Sequence, residues 1–194
     1  MKVAAIVEGE GEVAALPVLL RRIAAWRTPN VAAQISTPLR VRRERFLNRE
    51  DEFNRFLLLA AAKAETEGWI LVLLDADDDC PATLGPAILA RAHACVGHQR
   101  VSVVLAKREY EAWFIAAAQS LHGFRGFSVE SGLVVDCEQP RDAKGWVNVR
   151  IAGNSYGETT DQPAFSARMD LGQAFGASRS FRKLCKEWET HAVG

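Results

Sequence analysis

Apolar residues along the chain fall into short unbroken runs and longer amphipathic stretches, and their alternation sets the predicted elements. Residues 2–7 form an apolar run that predicts a strand. Glu8-Gly9-Glu10-Gly11-Glu12 follows, then an apolar helix to about Trp26, in which Pro17 sits early enough to kink the first turns without ending them. Residues 31–36 predict a second strand. After an arginine-rich connection, an amphipathic helix covers 50–67 and is closed by Gly68. Residues 69–74 contain no charged or amide side chain, as expected of a strand in a parallel sheet that is covered on both faces. Pro81 suits the first turn of a helix running to about Val96. Residues 101–106 predict a fourth strand and 109–119 a further helix. The resulting β-α-β-α-β-α-β-α order predicts an α/β fold, a parallel sheet of about four strands with helices on both faces.

After Gly123 the pattern loses its period. Gly, Ser, Asn and Pro become frequent, and Phe124, Phe127, Trp146 and Tyr156 are scattered. Short helices are expected near 163–175 and 180–190. The chain therefore reads as an α/β core over 1–123 and a small helical and irregular elaboration over 124–194 packed on it, one domain overall.

Composition changes this picture little. The 194 residues are 48% hydrophobic and 25% charged, as in an ordinary globular protein. With 24 basic and 24 acidic residues the formal net charge is zero, so no global field announces a nucleic-acid or membrane partner. No run is long enough for a membrane span, and the apolar run after Lys2 meets Glu8 too soon for a signal core. Cys80, Cys95, Cys137 and Cys185 share no CxxC spacing, which suggests reduced thiols in a cytoplasmic protein. His93, Cys95 and His98 match no zinc spacing and read as a helix end.

Local charge is more telling. The 69–74 run ends in Asp75-Ala76-Asp77-Asp78-Asp79, and the first strand ends in Glu8. Crowded carboxylates raise one another's pKa unless a cation neutralises them, so stability does not explain the cluster. Residues two apart in an extended segment share a side, so Asp75 and Asp77 can reach one ion. Glu8 joins them if the first and third strands are neighbours, and Glu12 can turn back from the following helix. Such an oxygen-only set suits Mg²⁺ or Mn²⁺ and phosphate chemistry, with Glu8 as a candidate base. Asp78 and Asp79 are equally well explained as helix caps before Pro81, and Glu10 and Glu12 as acids at a helix N-terminus.

Beyond the fourth strand, Glu109 or Glu111 could extend the acidic set, and Lys107 or Arg108 could hold a phosphate; acids favouring a helix start are the alternative. Arg40, Arg42, Arg43, Arg45 and Arg49 could track a nucleic-acid backbone or form a solvated turn. Ser178-Arg179-Ser180-Phe181-Arg182 could hold phosphate through arginine, or Ser178 or Ser180 could cap a helix. Gly9-Glu10-Gly11-Glu12-Val13-Ala14 formally fits a dinucleotide fingerprint, but three glutamates would face the pyrophosphate and the acid expected about 20 residues on is missing.

The Glu8–Glu12 segment together with Asp75-Ala76-Asp77 resembles the Toprim superfamily of topoisomerases, bacterial primases and overcoming-lysogenisation-defect nucleases. The resemblance implies that Glu8, Asp75 and Asp77 hold Mg²⁺ with Glu8 as general acid or base, and that Glu12 is the second Glu of the two-metal nuclease branch. Over nearly its whole length the chain is similar to the bacterial family called domain of unknown function 4276. The similarity rests on Glu8–Glu12, on Asp75 to Cys80 and on Glu111-Ala112-Trp113, then on Tyr156, Asp161-Gln162-Pro163 and Ser180-Phe181. Gly11 stands where that family usually has Thr, and Gly157 where Lys is common.

These resemblances imply a Mg²⁺-dependent phosphodiester hydrolase or phosphoryl-transfer enzyme on nucleic acid, in bacterial defence or DNA repair. Its metal set would be Glu8, Glu12, Asp75, Asp77 and Glu111, with Arg42, Arg43, Lys107 and Arg108 on the phosphates. The alternative is a non-catalytic Toprim-like module that docks on a partner such as an ATPase. Tyr110 and Tyr156, the only tyrosines, leave a covalent role open without supporting it.

Overall fold

A computed structural model of the chain describes residues 1–153 and 155–193. The first half runs β1 (Lys2–Val7), α1 (Glu10–Arg27), β2 (Gln34–Ile35), β3 (Leu39–Arg40), α2 (Arg43–Asn48), α3 (Glu50–Ala64) and β4 (Trp69–Asp75). It continues as α4 (Pro81–Val96), β5 (Arg100–Ala106), α5 (Ala112–Ala116), α6 (Ala118–Leu121), α7 (Ala143–Asn148), α8 (Glu158–Arg168), α9 (Leu171–Ala177) and α10 (Arg179–Val193).

All strand pairs are parallel. β4 lies beside β1, with Val3 opposite Trp69 and Val7 opposite Leu73, and β5 lies beyond β4, with Asp75 opposite Ala106. On the other side of β1, β2 pairs at Lys2 and Val3 and β3 at Ile6 and Val7. The sheet thus has five strands rather than four. The run expected over 31–36 keeps only two paired residues, because the chain leaves the ladder at Thr37-Pro38, where proline has no N–H to give, and rejoins it as β3.

Side chains alternate between the two faces, and each face has its own core. Ala4, Ile6, Ile70, Val72 and Leu74 pack with Phe53 and Leu57 of α3 and Ile88 and Ala92 of α4. Val3, Ala5, Val7, Leu71 and Leu73 pack with Leu16 and Leu19 of α1, Trp113 and Phe114 of α5, and Phe165, Phe181 and Trp188 from the last third of the chain. Fully buried Trp188 meets Trp69 edge-on, ring centroids 6.0 Å apart, and its Nε1–H donates to Thr28 Oγ1 at 2.9 Å.

Five helical boundaries differ from the sequence reading, the first being α3, which ends at Ala64 rather than 67. The arginine-rich connection contains α2, whose one buried residue, Phe46, stacks against Phe53 at 4.8 Å. The helix expected over 109–119 begins at Ala112 and divides into α5 and α6 at Ala117, where ψ turns to 21°. The helix expected over 163–175 starts earlier, at Glu158, and breaks at Met169. There the Asp170 carboxylate caps α9 by accepting the Gln173 N–H at 2.8 Å. The last helix runs to Val193 rather than 190. Among the described residues no helix is long and apolar enough to cross a membrane.

Candidate functional site

From β1 the chain moves to β2 and β3 on one side, then returns past β1 to β4 on the other. This reversal makes the carboxyl end of the β1–β4 pair a topological switch point, where open α/β sheets leave a crevice for ligands. Glu8 immediately follows β1, and Asp75 is the last residue of β4.

Four carboxylates surround Asp75: Glu12, Glu111, Glu8 and Glu109. Burial first, and then those four charges in that order, hold the Asp75 carboxyl well above the usual aspartate range. Its Oδ1 accepts the Tyr110 N–H at 2.9 Å. Glu12 is 3% exposed, and its Oε2 accepts the backbone N–H groups of Glu8 and Gly9, each at 3.1 Å. Burial nevertheless pushes its carboxyl up to about 7, helped by Glu111 and Glu8. Glu111 is 2% exposed; Tyr156 Oη donates to its Oε1 at 3.0 Å and Gln162 Nε2 at 3.2 Å. Burial pushes it to about 7 as well. Glu8 is raised by burial and by Asp77, against Arg43 and Lys144, and its buried Oε2 has no hydrogen-bond partner.

The turn after β4 differs in character. Asp77 is exposed, in the left-handed region at φ 48°, and its N–H donates to the Arg108 carbonyl at 2.9 Å. Its carboxylate lies 3.8 Å from Arg43 Nη1. Arg43 braces the whole turn, donating through Nε to the Asp75 carbonyl at 3.1 Å and pairing with Asp79. Asp78 takes Arg108 at 2.6 Å and Arg141 at 2.5 Å.

The predicted residues are therefore placed unequally. Glu8, Glu12, Asp75 and Glu111 share the buried centre, and Asp77 adjoins Glu8 from the exposed turn. Of the basic candidates, Arg43 and Arg108 are tied to the acidic turn, and Lys107 Nζ reaches the Asp79 carbonyl at 3.1 Å. Arg42 is exposed at the start of α2, and it is Arg40 that reaches Glu10, at 3.4 Å. Tyr110 is buried with its hydroxyl 2.9 Å from Ser166 Oγ, and burial raises both tyrosine hydroxyls far above their ordinary range.

The glycine spacing of the dinucleotide-like fingerprint serves protein packing. A Cβ at Gly11 would lie 2.3 Å from Gln162 Oε1 and 2.5 Å from the Glu158 carbonyl, so α8 fills the space a pyrophosphate would need. Gly11→Ala is expected to destabilise the fold by about 1–3 kcal/mol, seen as a lower urea midpoint with unchanged slope; a midpoint at the wild-type value would show that α8 yields freely.

Chemically the donor set fits a hard divalent cation: every member is a carboxylate, the group is short of positive charge, and one oxygen of Glu8 is buried without a partner. Among the described residues no three His, Cys, Asp or Glu side chains converge on one coordination point, and Glu12 and Glu111 spend oxygens on protein hydrogen bonds.

A family profile described as Domain of unknown function (DUF4276) matches residues 7–189, which includes every residue of this centre. The chain belongs to that family. No curated protein and no solved structure matches it.

This DUF4276 chain also builds its centre from residues that carried no signal in sequence. Lys144, at the start of α7, donates its N–H to Glu109 Oε2 at 2.8 Å and its Nζ to Glu158 at 2.5 Å. Burial lowers the Lys144 pKa, but Glu158, Glu111 and Glu109 outweigh that and raise it. Arg141 reaches Asp78 across 63 positions, and no local spacing encodes such contacts.

Proposed function

We propose that this chain is a Toprim-like, Mg²⁺- or Mn²⁺-dependent phosphodiesterase acting on nucleic acid. The observation that carries the reading is the group of buried carboxylates around Asp75 at the switch point, all held protonated more readily than free carboxylates. Uncompensated acids cost stability, and a divalent ion is the partner their chemistry fits. Glu8 and Asp75 would hold it, with Asp77, Glu12 and Glu111 completing the set. When bound, such an ion neutralises charge on a phosphate and lowers the pKa of a water.

The chain's own residues supply the rest. Glu8, with one oxygen unengaged, is placed to take a proton from an attacking water. Tyr156 and Gln162 hold Glu111, and the Glu8 and Gly9 N–H groups hold Glu12, which restrains these two carboxylates. Lys107 is the cation best placed to meet a phosphate at the sheet edge.

Incubation with single- and double-stranded DNA and RNA, with Mg²⁺, Mn²⁺ or EDTA, tests this; cleavage that needs the metal supports it. A non-catalytic module docking on a partner such as an ATPase is the second reading, favoured by the ion pairs that already occupy Asp78 and Asp79. No cleavage of any of the four substrates, with a stoichiometric partner complex, would replace the first reading by the second.

A further inference from the structure

Beyond β5, at the edge of the sheet, a cavity of about 670 Å³ opens between three elements and is not part of the carboxylate centre. Each element gives it one face. Ala82, Gly85, Pro86 and Leu89 recur at helical spacing along α4, and Val103, Leu105 and Lys107 alternate along β5 and just past it. The first two turns of α10 contribute Arg179 and Lys183. The walls are apolar and the interior is open: a Cβ on Gly85 would meet nothing within 4 Å. The size suits a small organic ring system.

The rim is charged, and its charges do not cancel evenly. Asp78 is taken by Arg108 and Arg141, and Asp79 by Arg43. Glu138 accepts the Arg179 backbone N–H at 3.2 Å. Lys183 pairs with Glu187 at 2.7 Å. Among the described residues, Lys107 and Arg179 have no carboxylate partner; Lys107 Nζ reaches only the Asp79 carbonyl. Two cations, with the Glu138 carboxylate beside the start of α10, thus face an apolar slot. The slot also adjoins the acidic centre, because Lys107 follows Ala106, the residue opposite Asp75.

We infer that this cavity is a nucleotide subsite, in which an unpaired base of the substrate strand enters the α4–β5 slot and its phosphate is held by Lys107 and Arg179. It rests on the proposed nucleic-acid function and narrows the substrate to a single strand or an unpaired end. A base within a duplex cannot enter a slot of this kind without leaving the stack.

The test is fluorescence anisotropy of a short labelled oligothymidylate in EDTA, against a matched duplex, with wild type, Arg179→Glu and Ala82→Leu. Glycine before Pro86 relieves a steric clash, so the filling substitution is placed at exposed Ala82 instead of at Gly85. The single strand is expected to bind tighter than the duplex, and each variant to weaken it by about tenfold or more, with unchanged melting temperature. Maleimide labelling of exposed Cys80, on the cavity rim, is expected to slow when the oligonucleotide is bound. Wild type that does not bind, or variants that bind as wild type does, would overturn the subsite. The two readings fail separately. Metal-dependent cleavage with an unchanged KM in both variants removes the subsite alone. Cleavage absent throughout, with binding lost in both variants, removes the catalytic reading alone.

Discussion

Asp75→Asn is expected to reduce metal-dependent cleavage by at least ~100-fold while making the metal-free protein more stable at pH 8. Both effects come from one position. Asparagine keeps the shape and keeps an Oδ1 to accept the Tyr110 N–H, so the end of β4 retains its anchor. What it removes is a charge that burial, Glu12, Glu111, Glu8 and Glu109 all oppose. A merely structural aspartate would give the reverse pattern, lower stability and activity lost in proportion to unfolding. Glu10→Gln is the control, since Glu10 is adjacent in sequence to the centre but its side chain is exposed and pairs with exposed Arg40 at 3.4 Å; it is expected to stay within about twofold of wild type, as exposed changes that break no buried contact do. Wild-type cleavage by Asp75→Asn would end the catalytic assignment.

The sequence revealed the sheet better than its surroundings. β1 and β4 are read from continuous apolar runs, and β5 from a run interrupted by Ser102, because both faces of each are covered; Ser102 is tolerated there since its buried hydroxyl is paired with Glu187. β2 and β3 are two residues each, too short for any period, and their pairing to β1 is set by the position of Pro38. The acids at the strand ends were legible because a carboxylate at the end of a buried run has no structural motive. The contacts that support them were not, even though Tyr156 and Gln162 are among the residues of the family resemblance: Tyr156, Gln162 and Lys144 meet Glu111 and Glu109 over 35 to 51 positions. The last third likewise contributes Phe165, Phe181 and Trp188 to the core without a helical stripe, because these side chains fill gaps over α1 and the sheet instead of lining one flat face. Arg43 shows a different limit. Its place among five arginines suggested a phosphate contact, whereas its side chain is 14% exposed and braces the Asp75–Asp79 turn.

Without added metal, the wild-type protein is expected to lose stability as pH rises from about 4.5 to about 7. The sign follows from proton counts. Glu12 and Glu111 titrate near 7 when folded, against 4.5 for a free glutamate. Between those values the folded state holds protons that the unfolded state has released, so raising pH favours unfolding. One such group is worth about 3 kcal/mol over the full interval, or about 6–12 °C in melting temperature for a chain of this size. Because the carboxylates repel one another, the pair is counted once. His191 and Glu187 act in the opposite direction. Burial lowers the His191 pKa from 6.5, and Lys183 and Ser102 outweigh burial to lower Glu187 from 4.5, so both weaken the fold as pH falls through those values. Glu111→Gln isolates the acidic centre from them, and is expected to flatten the decline and raise the melting temperature at pH 8. Mg²⁺ should do the same to wild type, with a larger gain at pH 8 than at pH 5.5, since protons must leave before carboxylates can coordinate. A melting temperature indifferent to both pH and Mg²⁺ would mean that these acids neither repel one another nor await a cation, and the metal site would fall with them.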